Sequence, residues 1–406
     1  MERLTIAIIG GGASGLFLAS KLAQDNFNVI LLERNDRLGK KLSSTGNGQG
    51  NLTNANVLNA EYFTTQKKEQ EQVYRIIEKY DNLHYAKYLN SLGILLTTDE
   101  RGRVYPAGRQ ASAVTDALRF FIAETGVEVR LQSNVVGIEK KKDGYSLLIE
   151  TAEKRYDLYA DKVVLCAGGK AAKNFGTDGT SYALAKKFGH TLTPLYPSLV
   201  QLKTDITHIK TLKGIRINDG GLSVYAGNKT LVSVRGDIIF TDYGVSGDAV
   251  FRASAFVTSK IAENVTLTID VLPDYGQEEV FEMLCEKRET FPSLPVGELL
   301  CGMVNNQVGR AIIKRANGDL KKVAELVKAF PLQVTGSLSF DYAQVTKGGI
   351  PLAETDDNLQ SRLIDGLYFA GEILDVDGQC GGYNLQWAYS SACVVAQAIK
   401  SCKNIK

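Results

Sequence analysis

Paired cysteines, clustered histidines, long apolar runs and a charge imbalance are all missing from this sequence, and each absence removes a class of function. The six cysteines (Cys166, Cys285, Cys301, Cys380, Cys393, Cys402) nowhere show CxxC spacing, which excludes a CxxC zinc site and the redox pair of a disulfide reductase. His84, His190 and His208 are the only histidines and stand far apart, so neither a His-based triad nor a metal centre is expected. No apolar run reaches the roughly 18 residues of a membrane span, and the apolar start at residues 4–9 is too short for a signal peptide. Net charge is +2, and no basic run exceeds Lys140–Lys142; that triplet reads as a solvated edge rather than a nucleic-acid patch. These exclusions leave a cofactor as the source of chemistry. The expected setting is the cytoplasm and the expected partner a small molecule, not nucleic acid or a membrane. With 406 residues, two or three domains are expected.

What is present begins at residue 4. Residues 4–9 are Ile-rich, as a strand buried on both faces should be, and glycines follow at once. Residues 14–24 then carry Leu16, Leu18, Ala19, Leu22 and Ala23 at helical spacing, and residues 28–32 form a second buried strand ending at Glu33. This strand–glycine–helix–strand context is what Gly10-x-Gly12-x-x-Gly15 needs to be a dinucleotide fingerprint. Gly10 permits the tight turn, Gly12 lets backbone approach a pyrophosphate, and Gly15 lets helix and strand pack closely. The helix N-terminus, with Ala13 and Ser14, offers unpaired N–H groups to phosphate. Glu33 can accept from ribose hydroxyls and disfavours a 2′-phosphate.

The far end of the chain decides between FAD and NAD. "RLIDGLYFAGEILDVDGQCGGYNLQWAYSSACVVAQAI" reads as turn, strand (367–370), Gly-rich loop (375–382) and a long helix from Tyr383–Asn384. A second helix N-terminus suits a flavin, whose reduced ring carries negative charge at N1–C2=O.

On these residues the chain resembles the bacterial flavoproteins grouped as BaiN-like or aminoacetone-oxidase-like, within the glutathione-reductase-type FAD superfamily. The resemblance runs through "GGGASGL", "LGKKLSSTGNGQGNLTN", "VVLCAGG", "TDGTSYALAKKFGH", "TPLYPSLV", "FTDYGVSG" and "GLYFAGEILDVDGQCGGYNLQWA". It implies an α/β fold: a Rossmann-like FAD-binding domain (1–192 and 355–406), an inserted β-rich substrate domain (193–272 and 331–354) and a small helical domain (273–330). The sequence fits independently, with β-type runs at 199–203, 222–225, 231–234, 237–241 and 265–270. A helical pattern follows from 277 to 330, and 332–351 turns β-like again.

Carried onto this sequence, the family's FAD contacts fall on Gly10, Gly12, Ala13, Ser14, Gly15, Glu33 and Arg34. They continue through Lys41, Ser44, Thr45, Gly46 and Asn47, then Val135 (after a strand at 127–131, meeting the adenine), Ala167, Gly168 and Gly169. The flavin end takes Gly371, Glu372, Gly382, Tyr383, Asn384 and Leu385. One departure stands out: Gly48-Gln49-Gly50-Asn51 occupies a loop that commonly reads Gly-Arg-Cys-Asn, so neither cation nor thiol is found there. Tyr243, in the part that the family places over the flavin, is a candidate substrate contact. Asp375 and Asp377 serve as a base or, preferably, hold the flavin loop. Lys347 faces the site or is an ordinary surface lysine. Cys380 reads as a small loop residue, Cys166 as core, Trp387 as packing and His190 as a helix cap.

The expected chemistry is hydride transfer through N5 of non-covalently bound FAD. Aminoacetone-type amine oxidation with O2 as acceptor comes first. The alternatives are NAD(P)H-dependent reduction of a bile-acid-type enone and, in another class, an FAD-binding RNA-modifying protein. No second GxGxxG follows a strand between Gly169 and Pro351, which favours reduction by the substrate itself, although NAD(P)H can still dock transiently as donor.

Overall fold

The computed structural model describes residues 3–402. They fall into two compact units, one running up to Leu195 and resuming at Val345, the other spanning Tyr196–Gln344.

The first unit is built on a five-stranded parallel sheet. Its order is Leu367–Phe369, Lys162–Leu165, Thr5–Ile9, Asn28–Leu32 and Glu128–Arg130. Ile6, Ala7 and Ile8 in the central strand are wholly buried, which is why that strand reads as an unbroken apolar run. From the central strand the chain adds Asn28–Leu32 on one side and, much later, Lys162–Leu165 on the other. The order therefore reverses beside Ile9, and a crevice opens at the C-terminal strand ends, where ligands of open α/β sheets bind. Helix Ala13–Leu22 packs against the C-terminal helix Tyr383–Ser401, with Phe17 set edge-on to Tyr85, Tyr88 and Tyr389. The last strand and last helix thus complete the domain that the first residues begin. A three-stranded antiparallel sheet (Asn134–Lys140, Tyr145–Glu150, Arg155–Ala160) lies between the third and fourth sheet strands in sequence.

The second unit is a closed six-stranded barrel in the order Leu202–Thr204, Gly244–Ser246, Lys229–Phe240, Arg216–Ala226, Val265–Asp270 and Phe330–Ser337. Three corrections to the sequence reading arise here. The runs at 231–234 and 237–241 are one strand, because Gly236 pairs with Gly220 inside the ladder instead of making a turn. A Cβ at Gly236 would lie 2.8 Å from Asp248, so the glycine admits the helix Asp248–Val257. The helices Gln277–Thr290, Asn306–Ala316 and Leu320–Lys328 are not a third domain: Leu284, Ile312, Val323 and Val327 share one apolar core with Ile269, Phe330 and Leu332 of the barrel. Finally, 193–195 and 345–354 belong to the first unit, where Ile350 donates to Ile373 O (3.0 Å) and accepts from Asp375 N–H (2.8 Å). Among the described residues no helix is long and apolar enough to cross a membrane.

Candidate cofactor site

At the strand end, Gly10 turns with φ +105°, and a Cβ there would lie 2.6 Å from Cys166 O. A Cβ at Gly15 would fall 1.9 Å from Gly10 O, so helix and strand touch backbone to backbone. Gly12 is different, with nothing within 4 Å of where its Cβ would stand: a backbone face left open to a ligand. The helix that follows has no side-chain cap, and its first intrahelical bond is Leu16 N–H to Gly12 O (2.9 Å). The N–H groups of Ala13, Ser14 and Gly15 have no intrahelical acceptor there, and the dipole's positive end adds to their attraction for an anion. Gly11, which the fingerprint leaves unspecified, is also closely packed: a Cβ there would stand 2.3 Å from a Leu38 methyl and 3.1 Å from Glu33 Cβ.

Glu33 is buried. One carboxylate oxygen accepts Gly11 N–H (2.7 Å) and the other accepts from Asn35 N–H (2.8 Å) and Nδ2 (2.7 Å). It therefore fixes the glycine loop, while a carboxylate's four lone-pair sites leave capacity for a ribose hydroxyl. Arg34 makes a paired fork to Asp178 (3.1 and 2.8 Å). Burial pushes the Asp178 carboxyl up, but hydrogen bonds from Arg34 and Thr180 hold it down at about 2. Cys166 is core, its thiol pushed up to about 12 by burial, so it stays a neutral packing group.

The C-terminal loop meets this cradle. Gly371 (φ +80°) comes so close to Ser14 that a Cβ would stand 2.6 Å from its Oγ. Trp387 Nε1 donates to Gly371 O (3.1 Å), and Ser391 Oγ accepts Gly371 N–H (2.9 Å). The single tryptophan is thus packing with a stated task. Asn384 clamps the loop, accepting from Gly378 N–H and donating to Gly378 O, both at 2.8 Å. Gly382 turns with φ +98° into the last helix, again without a side-chain cap, so the N–H groups at Tyr383, Asn384 and Leu385 have no acceptor within the helix.

Lys41 Nζ lies 2.7 Å from Glu372. The other Glu372 oxygen accepts Thr346 N–H (2.9 Å), and Thr346 Oγ1 accepts Lys170 and Ala171 N–H (2.7 and 2.9 Å). Thr346 thus links Glu372 to the second glycine turn, Ala167–Gly168–Gly169, where a Cβ at Gly169 would hit Thr346 Oγ1 at 2.4 Å. Sequence reading missed Thr346, because the contact joins segments far apart in the chain. The Ser44 and Thr45 hydroxyls donate to Lys41 O (2.8 Å) and Leu42 O (2.7 Å) of their own short helix. Gly46 and Asn47 turn with φ +59° and +55°. Just beyond, the buried Asn51 Oδ1 has no partner. Val135 is buried and pairs with Ile149 at the start of the antiparallel sheet.

Other candidates are placed otherwise than expected. Lys347 is no surface lysine: it belongs to the first unit, 3.0 Å from the buried Asp377 and over the Phe63 ring. Asp375 makes no local loop bond with its side chain; it accepts Thr65 N–H at 3.1 Å. His190 is not a cap, for its buried ring bridges Glu354 (2.7 Å) and Ser361 Oγ (2.7 Å). Tyr243 is half-buried in the second unit, where burial raises its phenol.

An open glycine face at one uncapped helix N-terminus, a loop that meets it through Ser14 and Gly371 and leads to a second uncapped N-terminus, and the orphaned Asn51 oxygen suit a long, polar, anionic cofactor such as FAD. The comparisons agree. Residues 4–398 match the family described as HI0933-like protein Rossmann domain. The chain is 32% identical over 410 residues to a 3-dehydro-bile acid delta(4,6)-reductase of Clostridium scindens, covering 97% of this chain and 98% of that protein. It is 26% identical to a ribosomal RNA dihydrouridine synthase of Escherichia coli, covering 100% of both. Among solved structures, a 3-ketosteroid-delta4-(5alpha)-dehydrogenase from Rhodococcus jostii RHA1 superimposes with a TM-score of 0.52 at 17% identity over 98% of each chain, which speaks for the fold alone. The chain belongs to the HI0933-like family of FAD-binding Rossmann proteins, and it is an FAD-dependent oxidoreductase.

Proposed function

From that membership, we propose that the enzyme reduces a carbon–carbon double bond conjugated to a carbonyl in a small molecule, with a reduced nicotinamide as donor. The observation that carries this reading is a chemistry shared by the relatives' names. A delta(4,6)-reductase acting on a 3-dehydro bile acid and a synthase of dihydrouridine both add hydrogen across a C=C conjugated to a C=O. Aminoacetone-type oxidation has no counterpart in either name, and enone reduction takes its place as the first reading. Bound FAD supplies the two-electron carrier. The chain's own groups would hold it: Gly12 and the N–H groups of Ala13–Gly15 at the pyrophosphate, Glu33 at the ribose, and the N–H groups at 383–385 at the flavin end. Lys41, Glu372 and Thr346 fix the turn between them.

The two dihydrouridine synthase relatives, each 26% identical, support a second reading in which the conjugated bond is that of uracil in ribosomal RNA. The net charge of +2 without a basic run favours the small molecule. Six cysteines, none in a disulfide, suit a reducing compartment, and the cytoplasm is the proposed location. The test is turnover of FAD-loaded protein, anaerobically with NADH or NADPH against a 3-oxo-4,6-diene bile acid and a ribosomal RNA transcript, and in air without nicotinamide against aminoacetone. The expected product is the bile acid gaining two hydrogens by mass. Gain only in the RNA would transfer the assignment to the second reading, and aminoacetone consumption alone would overturn both.

A further inference from the structure

The first turn of the helix Tyr383–Ser401 carries a buried amide, Gln386, with both of its donors engaged. Gln386 is wholly buried, as are Thr53 and Ser390. Its Oε1 accepts the Thr53 hydroxyl, and its Nε2 donates to Tyr80 O (2.7 Å) and Ser390 Oγ (2.9 Å). Ser390 Oγ donates in turn to Tyr80 O (2.6 Å). One amide thus joins three segments distant in the chain: the helix start, the strand Thr53–Asn54 and the end of the helix Gln70–Lys79. Its orientation is fixed, because Tyr80 O can only accept and a turned amide would set two carbonyl oxygens against each other.

The same strand grips the turn that enters the helix. Asn54 Nδ2 donates to Gly381 O (3.1 Å), while its Oδ1 accepts Asn56 N–H (2.9 Å). A Cβ at Gly382 would stand 2.4 Å from Thr53 O, so backbone meets backbone there. Gln386 N–H bonds to Gly382 O (3.0 Å), which leaves the N–H groups at 383–385 without an acceptor inside the helix. The strand is itself paired, Thr53 opposite Val104 and Asn54 opposite Arg103 in a three-stranded sheet. Two residues before Thr53, the buried Asn51 Oδ1 has no partner. One short segment therefore holds the helix start with Thr53 and Asn54 and keeps an unmet acceptor at its other end. Packing alone does not call for an amide at 386: a methionine of similar length would fill the space with no polar atoms to satisfy. A buried polar network with its members satisfied specifies one arrangement of the segments it joins.

We infer that Gln386 is a positioning residue for the flavin end of the cofactor site, acting with Thr53 to fix where the N–H groups at 383–385 stand. It touches no reacting atom. The inference rests on FAD as the cofactor and on those N–H groups lying at its flavin end, and not on which substrate is reduced. Reduced flavin carries negative charge at N1–C2=O, and a helix N-terminus favours negative charge. N–H groups held in one place stabilise that charge more than groups free to drift, since preorganised dipoles need no reorganisation when the charge appears. Oxidised flavin, uncharged there, gains less from them. The network therefore sets the site's preference for reduced over oxidised flavin, and with it the midpoint potential.

The test is made on the full-length, FAD-loaded protein by anaerobic, dye-equilibrated redox titration of the flavin. Thr53→Val keeps the side chain's shape and removes the hydroxyl that Gln386 accepts. It is expected to lower the preference for reduced flavin about tenfold, a midpoint potential about 30 mV more negative. Amide exchange at 383–385 is expected to quicken, and Thr53→Ser, which retains the hydroxyl, to restore both quantities. Where Thr53→Val does not fold, Ser390→Ala takes one hydroxyl from the same network, and the same direction of change is expected. A lowered melting temperature with an unchanged potential would make the network merely structural and overturn the inference. Unsubstituted protein that folds and takes up no FAD would instead overturn the cofactor assignment on which the inference rests.

Discussion

Gly12 and Gly15, three residues apart, meet opposite surroundings, and this separates folding from cofactor binding. Gly12→Ala places a methyl where nothing lies within 4 Å, at φ −77° that alanine accepts. The apoprotein should keep its melting temperature while FAD affinity falls at least about tenfold, or 1.4 kcal/mol, read by flavin fluorescence titration. Gly15→Ala drives a methyl to 1.9 Å from Gly10 O, and should lower the melting temperature whether or not FAD is added. A second test uses the Arg34–Asp178 pair. The depressed carboxyl stabilises the fold above its unfolded range near pH 4 and loses that contribution as pH falls toward about 2. Arg34→Leu should therefore destabilise the protein at pH 7 and make no difference near pH 2, as acid titration of the fold will show. The fingerprint glycines were legible because backbone geometry demands them. Thr346 was not, because its role depends on partners far away in sequence.

At the level of elements, the loop 371–382 and the helix it feeds behave as one device. Asn384 closes a ring on Gly378, and Trp387 and Ser391 anchor Gly371 from successive turns of the same helix. Asn384→Ala should raise FAD Kd and speed amide exchange at residues 378–382, with the exchange of the central strand Thr5–Ile9 unchanged. The sequence announced this helix through its apolar length and its glycine start. It misdirected in the barrel, where Gly236 looked like a turn between two strands. A glycine at a crowded helix–strand crossing and a glycine in a turn have the same letter, and only the Asp248 helix distinguishes them.

The whole molecule is two folding units with one chain passing from the first into the second and back. The second unit's first and last strands, Leu202–Thr204 and Phe330–Ser337, are neighbours in the closed barrel, so its ends leave from one place and its edges are paired. A fragment of residues 196–344 should accordingly unfold cooperatively in urea and bind no flavin. The two-part FAD domain was legible because its fingerprint and its flavin loop both rest on local glycine geometry. The helices at 277–328 concealed their place, since an amphipathic pattern says which face is buried and not against what.

The central claim is reduction of a conjugated double bond by the protein's flavin. It is tested most directly by anaerobic double-mixing stopped flow: FAD-loaded protein is first bleached with NADPH or NADH, then mixed with a 3-oxo-4,6-diene bile acid. Fast bleaching by a nicotinamide and full return of flavin absorbance on adding the enone without oxygen are expected. Bleaching by aminoacetone alone, reversed only by oxygen with peroxide release, would contradict it.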